Sequence, residues 1–195
     1  MARELERAVV ALVRELLSAE IAATPAWLVR PGKVECGKHW PLVQEVYADL
    51  TDGMVLPEAM RPVERREVDA VLQRPGDLPR VLEFDETQHF NPYRARTLSF
   101  YAGDVPLAFP VDAWIARSQQ KTRLEGGGFG RPKPPLFPGD GGRHRQRAFR
   151  DALCDVLPPD HGFLPTLRIG DFEVAAWLHG EDVRERMAAL LADRL

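Results

Sequence analysis

The 195-residue chain predicts an α/β or α+β domain, with a mixed central sheet flanked by helices. Three observations carry that expectation. The stretch from Arg65 to Phe90, RREVDAVLQRPGDLPRVLEFDETQHF, reads as two short strands joined by a Gly/Pro turn. Segments with apolar residues three and four apart lie on both sides of it. The apolar content of 45% is enough for a core, while 17 Pro and 15 Gly foretell many loops. A length of this order suits a single domain over 1–195.

Taken in order, residues 3–22 read as a helix whose buried face carries Leu5, Val9, Leu12, Val13, Leu16 and Leu17; the Thr24-Pro25 step ends it. Trp27 to Val29 reads as a short strand and Pro41 to Leu50 as a second helix. Val68 to Leu72 forms the first hairpin strand, Arg74 to Asp77 the turn, and Val81 to Asp85 the second strand. Arg94 to Tyr101 reads as a helix, Val105 to Phe109 (VPLAF) as a third strand, and Val111 to Ser118 as a short helix. Residues 119–142 are broken by Gly and Pro throughout and read as a long flexible basic loop, of the kind that tends to be functional. A helix follows from Arg143 to Leu157, then a strand around Thr166 to Ile169 with Gly170-Asp171 as a hairpin turn, and a terminal helix from Glu181.

The net charge of -3 argues against a uniformly basic nucleic-acid coat, but the charge is unevenly spread. Arg117 to Arg150 holds nine Lys/Arg and two Asp/Glu, a local +7 on a body that totals -10. One basic face on an acidic body suits a protein that meets phosphate on that face alone; a solvated linker is the plainer reading. Cys36 and Cys154 make neither a zinc pattern nor a disulfide framework. With no signal-like or membrane-length apolar run, the expected setting is the cytoplasm.

The chemistry concentrates in the hairpin. Alternate strand residues share a face, so Glu83 and Asp85 project together, and a hairpin can bring Asp69 beside them. Three carboxylates at one strand end suit Mg²⁺ (or Mn²⁺), which takes hard oxygen ligands and activates bound water. Gln88 and His89, just past the strand, can orient that water or move a proton. Singly, each acid also reads as a strand-end cap or a charge that guards an edge strand.

EVDAVL, a turn, then VLEFDETQHF resembles the PD-(D/E)XK nuclease superfamily, and within it the very-short-patch-repair, restriction-endonuclease-like branch, whose second motif runs roughly E-x-D-G-x-x-H. Asp69 matches the first acid, Glu83 the second, and Asp85 and His89 the Asp and His of that motif. Arg94, Arg96 and Leu98 fall where the family's next helix begins, and PLAF where its next strand lies. Three positions depart: Asp85 stands where the superfamily usually has Lys, Glu86 where Gly is common, and Val68 where Pro often precedes the first acid. The match spans about residues 64–112. It implies a restriction-endonuclease-like fold and a metal-dependent nuclease with Asp69, Glu83 and Asp85 as metal ligands.

The basic stretch would hold the backbone of nucleic acid, DNA in preference to RNA, through Lys121, Arg123, Arg131, Lys133, Arg143, Arg145, Arg147 and Arg150. Arg143, Arg147 and Arg150 are four and three apart and can share a helix face, while Arg145 points elsewhere. Phe129 and His144 are candidates for base stacking. The alternative function is a nuclease-fold protein that has lost catalysis and acts by binding; the missing Lys favours it.

Overall fold

The computed structural model describes residues 2–121, 124, 126, 128 and 130–195. Among the described residues the protein is a mixed α/β structure built on a four-stranded sheet of order β1-β2-β3-β4: Glu20–Ala22, Ala70–Gln73, Arg80–Asp85 and Leu164–Gly170. β1 runs antiparallel to β2, and β2 to β3, whereas β4 joins β3 in parallel. The helices are α1 (Ala2–Leu16), α2 (Ala26–Val29), α3 (Lys33–Cys36), α4 (Trp40–Leu50), α5 (Pro92–Tyr101), α6 (Val111–Gln120), α7 (Gly142–Val156), α8 (Asp171–Val174) and α9 (Val183–Ala192).

Strand parity explains the layers. Ala70, Leu72, Leu82, Phe84, Leu167 and Ile169 point to one face, where Val9 and Val13 of α1 and Met187 and Leu191 of α9 cover them. Val81, Glu83 and Asp85 point to the other, against α7. Behind α7, α4, α5 and α6 enclose a second core around Tyr47, Leu98, Tyr101, Trp114, Phe149 and Leu153. The sheet is thus sandwiched, and the face that carries the acids lies under a helix rather than in open water.

Several elements differ from expectation. The first helix stops at Leu16; Ser18 turns the chain at positive φ, and Glu20–Ala22 becomes the edge strand on β2. A pairing partner more than forty residues away overrides local helix periodicity there. Trp27 to Val29 is a single helical turn, with Trp27 stacked on His161. VPLAF contributes one parallel bridge, Ala108 to Leu167, and no strand. Gly170-Asp171 is not a hairpin turn: β4 ends at Gly170, and Asp171 opens α8. Within the expected flexible loop, Lys133 and Phe137 pair their backbones, and Leu136 and Phe137 are core residues. No helix among the described residues is long and apolar enough to cross a membrane.

Candidate functional site

The hairpin register builds the acidic wall. Ala70 pairs with Leu82 and Val71 with Val81; Asp69 lies one residue before the first of these pairs and Glu83 one residue beyond it. Both acids line a cleft of about 210 Å³, together with Arg66 and His89 from the hairpin's flanks and Arg143, Arg147, Arg150 and Asp151 from α7. Asp69 Oδ2 accepts the Phe84 N–H at 2.7 Å. Burial and the neighbouring Glu83 push the Asp69 carboxyl up to about 8, although that hydrogen bond opposes them. Glu83 Oε1 accepts from Arg66 Nη2 at 3.2 Å and from the Cys154 thiol at 3.1 Å. Burial raises its pKa, with Arg66 and Arg168 pulling the other way.

Asp85 shares the face but not the cleft. It is fully buried; Oδ1 accepts from Arg168 Nη1 at 2.7 Å and Oδ2 from Trp114 Nε1 at 2.6 Å. Arg168, set beside Glu83 in the β3–β4 register, also donates from Nε to Asp155 Oδ1 at 2.7 Å and lies 3.6 Å from Asp151. Arg94 and Tyr101 complete the cluster on Asp155, each at 2.7 Å. The structure therefore splits the expected three-acid set: Asp69 and Glu83 face the cleft, and Asp85 anchors a buried ionic network.

His89 joins the two. Its Nδ1 lies 3.0 Å from Asp151 Oδ2 and 3.4 Å from Asp85 Oδ1, an arrangement that places a proton on Nδ1, with the carboxylates as acceptors. Burial would lower its pKa, but Asp151 and Asp85 outweigh burial and raise it. The same contact, with Arg168, holds Asp151 below the usual carboxylate range against the effect of its burial. One ligand atom from each of Asp85, His89 and Asp151 falls within 4.8 Å of the others, so this buried group could hold a metal. Arg168 already supplies positive charge to both of its carboxylates, whereas Asp69 and Glu83 present hard oxygens to an open cleft. Those oxygens are of the kind a magnesium-sized ion takes, although Arg66 already stands on Glu83 at 3.2 Å. Gln88 is engaged at both ends, donating to Glu86 at 2.8 Å and accepting from Arg147 at 2.9 Å, and does not line the cleft.

The expected basic residues divide similarly. Arg143, Arg147 and Arg150 form the wall facing Asp69 and Glu83. Burial, Arg66 and Arg143 lower the Arg150 pKa to about 10, with Glu64 and Asp151 opposing. Lys133 and Arg131 do not line the cleft; burial and then Arg131, Arg143 and Arg150 lower the Lys133 pKa, and Arg131 is exposed. Arg145 turns away, donating to the Leu50 carbonyl at 2.6 Å and to Asp52 at 3.0 Å. Lys121 donates to the Thr87 carbonyl and borders a different groove. Arg123 and Phe129 lie outside the described residues. His144 is fully buried, which removes it as a stacking surface.

Sequence reasoning missed Arg66, Asp151, Cys154, Asp155 and Arg168. A signal existed for two groups: Arg168 stands between Leu167 and Ile169 in a buried strand, and Asp151 and Asp155 are four apart within the apolar stripe of α7. A charge inside an apolar pattern calls for a buried partner. Arg66 carried no such mark, because it sits in a run of charged residues.

No family model, no curated protein and no solved structure matches the chain.

Proposed function

We propose that this protein is a metal-dependent nuclease of restriction-endonuclease-like fold that hydrolyses phosphodiester bonds, in DNA before RNA. The observation that supports it most is a single cleft lined by Asp69 and Glu83 together with His89 and a facing wall of arginines. Two carboxylates would hold Mg²⁺ or Mn²⁺, and the guanidinium groups would hold phosphate oxygens. When bound, the ion polarises a phosphoryl oxygen and lowers the pKa of water. His89, fixed through Nδ1 by Asp151 and Asp85, is oriented to pass a proton through Nε2. Asp85 acts at one remove by fixing His89 and Arg168, and Gln88 by fixing Arg147.

The position that usually carries Lys belongs to Asp85, and Arg66 is the cation nearest the acids, 3.2 Å from Glu83. That ion pair favours the second reading, a nuclease-fold protein that binds nucleic acid without cutting it, because Arg66 supplies the charge that a metal would otherwise supply. The experiment is cleavage of plasmid and end-labelled oligonucleotides, DNA and RNA, with Mg²⁺ or Mn²⁺. Cleavage by the wild type that falls at least about 100-fold in Asp69→Ala and Glu83→Ala is the expected result. No cleavage of any nucleic acid, or equal cleavage by both variants, rejects the enzyme.

A further inference from the structure

The arginine wall is compact rather than extended. Arg143 and Arg150 face the cleft about two helical turns apart on α7, with Arg147 between them and Arg66 also lining it. Two neighbouring basic residues do not prolong it: Arg145 is turned onto Leu50 and Asp52, and Lys121 borders another groove. A protein that follows a long duplex needs cations spaced along many phosphates. This one concentrates guanidinium groups in about 210 Å³, room for one or two phosphates.

Two arginines of the wall, Arg143 and Arg150, have weak side-chain partners, whereas Arg66 is already ion-paired with Glu83 at 3.2 Å. Arg143 donates to Gln146 Oε1, a neutral amide, at 2.7 Å. Arg150 meets Glu64 only at 3.5 Å. Arg66 is 6% exposed, and its Nε is a buried donor with no acceptor among the described residues. Buried donors without acceptors are costly, and an anion in the cleft would be met by the Arg143 and Arg150 guanidinium groups that line it. An internal phosphodiester brings one negative charge, whereas a terminal phosphomonoester brings about -1.5 to -2 near neutral pH and an additional acceptor oxygen.

We propose that Arg143 and Arg150, with Arg147 and Arg66 alongside, bind the terminal phosphate of a polynucleotide, so that the cleft takes phosphorylated chain ends. The inference rests on the nuclease reading for the identity of the ligand. It adds that the chain end, and not the duplex interior, is recognised. The adjacent phosphodiester then lies toward Asp69 and Glu83.

The test is equilibrium binding of fluorescent oligonucleotides to the full chain in EDTA, so that it does not depend on cleavage. The oligonucleotides are single-stranded or duplex and end in 5′-phosphate, 3′-phosphate or hydroxyl. One phosphorylated form is expected to bind at least about tenfold more tightly than the hydroxyl form, the size of one charge-assisted hydrogen bond. Inorganic phosphate competes for that increment. The preference disappears in Arg143→Gln and Arg150→Gln, each checked for folding by circular dichroism, and persists in Arg145→Gln, which alters a basic residue of the same helix that does not line the cleft. Equal affinity of the wild type for all three ends overturns the proposal, as does a preference that survives in a folded Arg143→Gln variant. An end preference without any cleavage rejects the nuclease reading and leaves this one standing; cleavage without end preference does the reverse.

Discussion

Asp69 holds a proton at a pH where an exposed aspartate has lost it, because its carboxyl is buried beside Glu83. In the unfolded chain that proton is released near the ordinary carboxylate value, so between about pH 5 and about pH 8 the native state binds more protons than the unfolded state. Stability must then fall as pH rises through that window. His89, whose folded pKa is raised by Asp151, contributes in the same direction, since its stabilising charge is lost at high pH. Metal-free protein is expected to show a Tm that decreases from about pH 5 to about pH 8 by calorimetry, with a shallower slope in Asp69→Asn. A flat or rising Tm would contradict the protonated pair. For His89, replacement by Ala is expected to lower cleavage by about 100-fold or more while nucleic-acid affinity changes little, the signature of lost proton transfer. A proportional loss of affinity would assign His89 to binding instead.

At the scale of elements, β3, β4, α5, α6 and α7 are tied together by Arg168 and its partners Asp85 and Asp155, to which Trp114, Arg94 and Tyr101 also bond. Such a cluster is weak evidence for added stability, but removing one member strands the others. Arg168→Met should cost about 3–5 kcal/mol in urea unfolding, since two buried carboxylates lose their shared counter-ion. A loss below about 1 kcal/mol would mean that Arg94 and water replace it. The start of α7 depends on close backbone approach: a Cβ on Gly142 would lie 2.3 Å from the Phe137 carbonyl oxygen and 2.8 Å from the Lys133 nitrogen. Gly142→Ala must displace the 133–137 segment or the helix, at a cost of about 1–3 kcal/mol. Because Arg143 follows directly, phosphate affinity should drop with it, a coupling that binding assays on the folded variant can read.

For the molecule as a whole, a cation that binds only the native cleft stabilises every element at once. At a concentration of about 100 times Kd, Mg²⁺ should add about 2.7 kcal/mol to the unfolding free energy, visible as a Tm increase of about 5–11 °C. The increase should vanish in Asp69→Asn; an equal increase in that variant would move the ion elsewhere, with the buried Asp85, His89 and Asp151 group the next candidate. The cleft itself exists only in the assembled fold, because its acidic wall comes from the hairpin and most of its basic wall from α7, which lies well beyond it in the chain.

What the sequence determined by itself was local and periodic. The turn at Arg74 to Asp77 specified the hairpin, the two-residue period put Glu83 and Asp85 on one face, and helical spacing marked α4, α5, α6, α7 and α9. The spacing of Arg143, Arg147 and Arg150 likewise foretold a shared face and set Arg145 apart. Tertiary structure alone decided which partner each acid receives. Glu83 meets Arg66 and Cys154, while Asp85, two residues on, meets Arg168 and Trp114, partners 83 and 29 residues away. It also made Glu20–Ala22 a strand and aligned β4 in parallel with β3. Periodicity reports the face on which a side chain emerges, a property of its own few neighbours. Burial, charge pairing and strand order depend on what packs against that face, and those contacts join segments that no local pattern links.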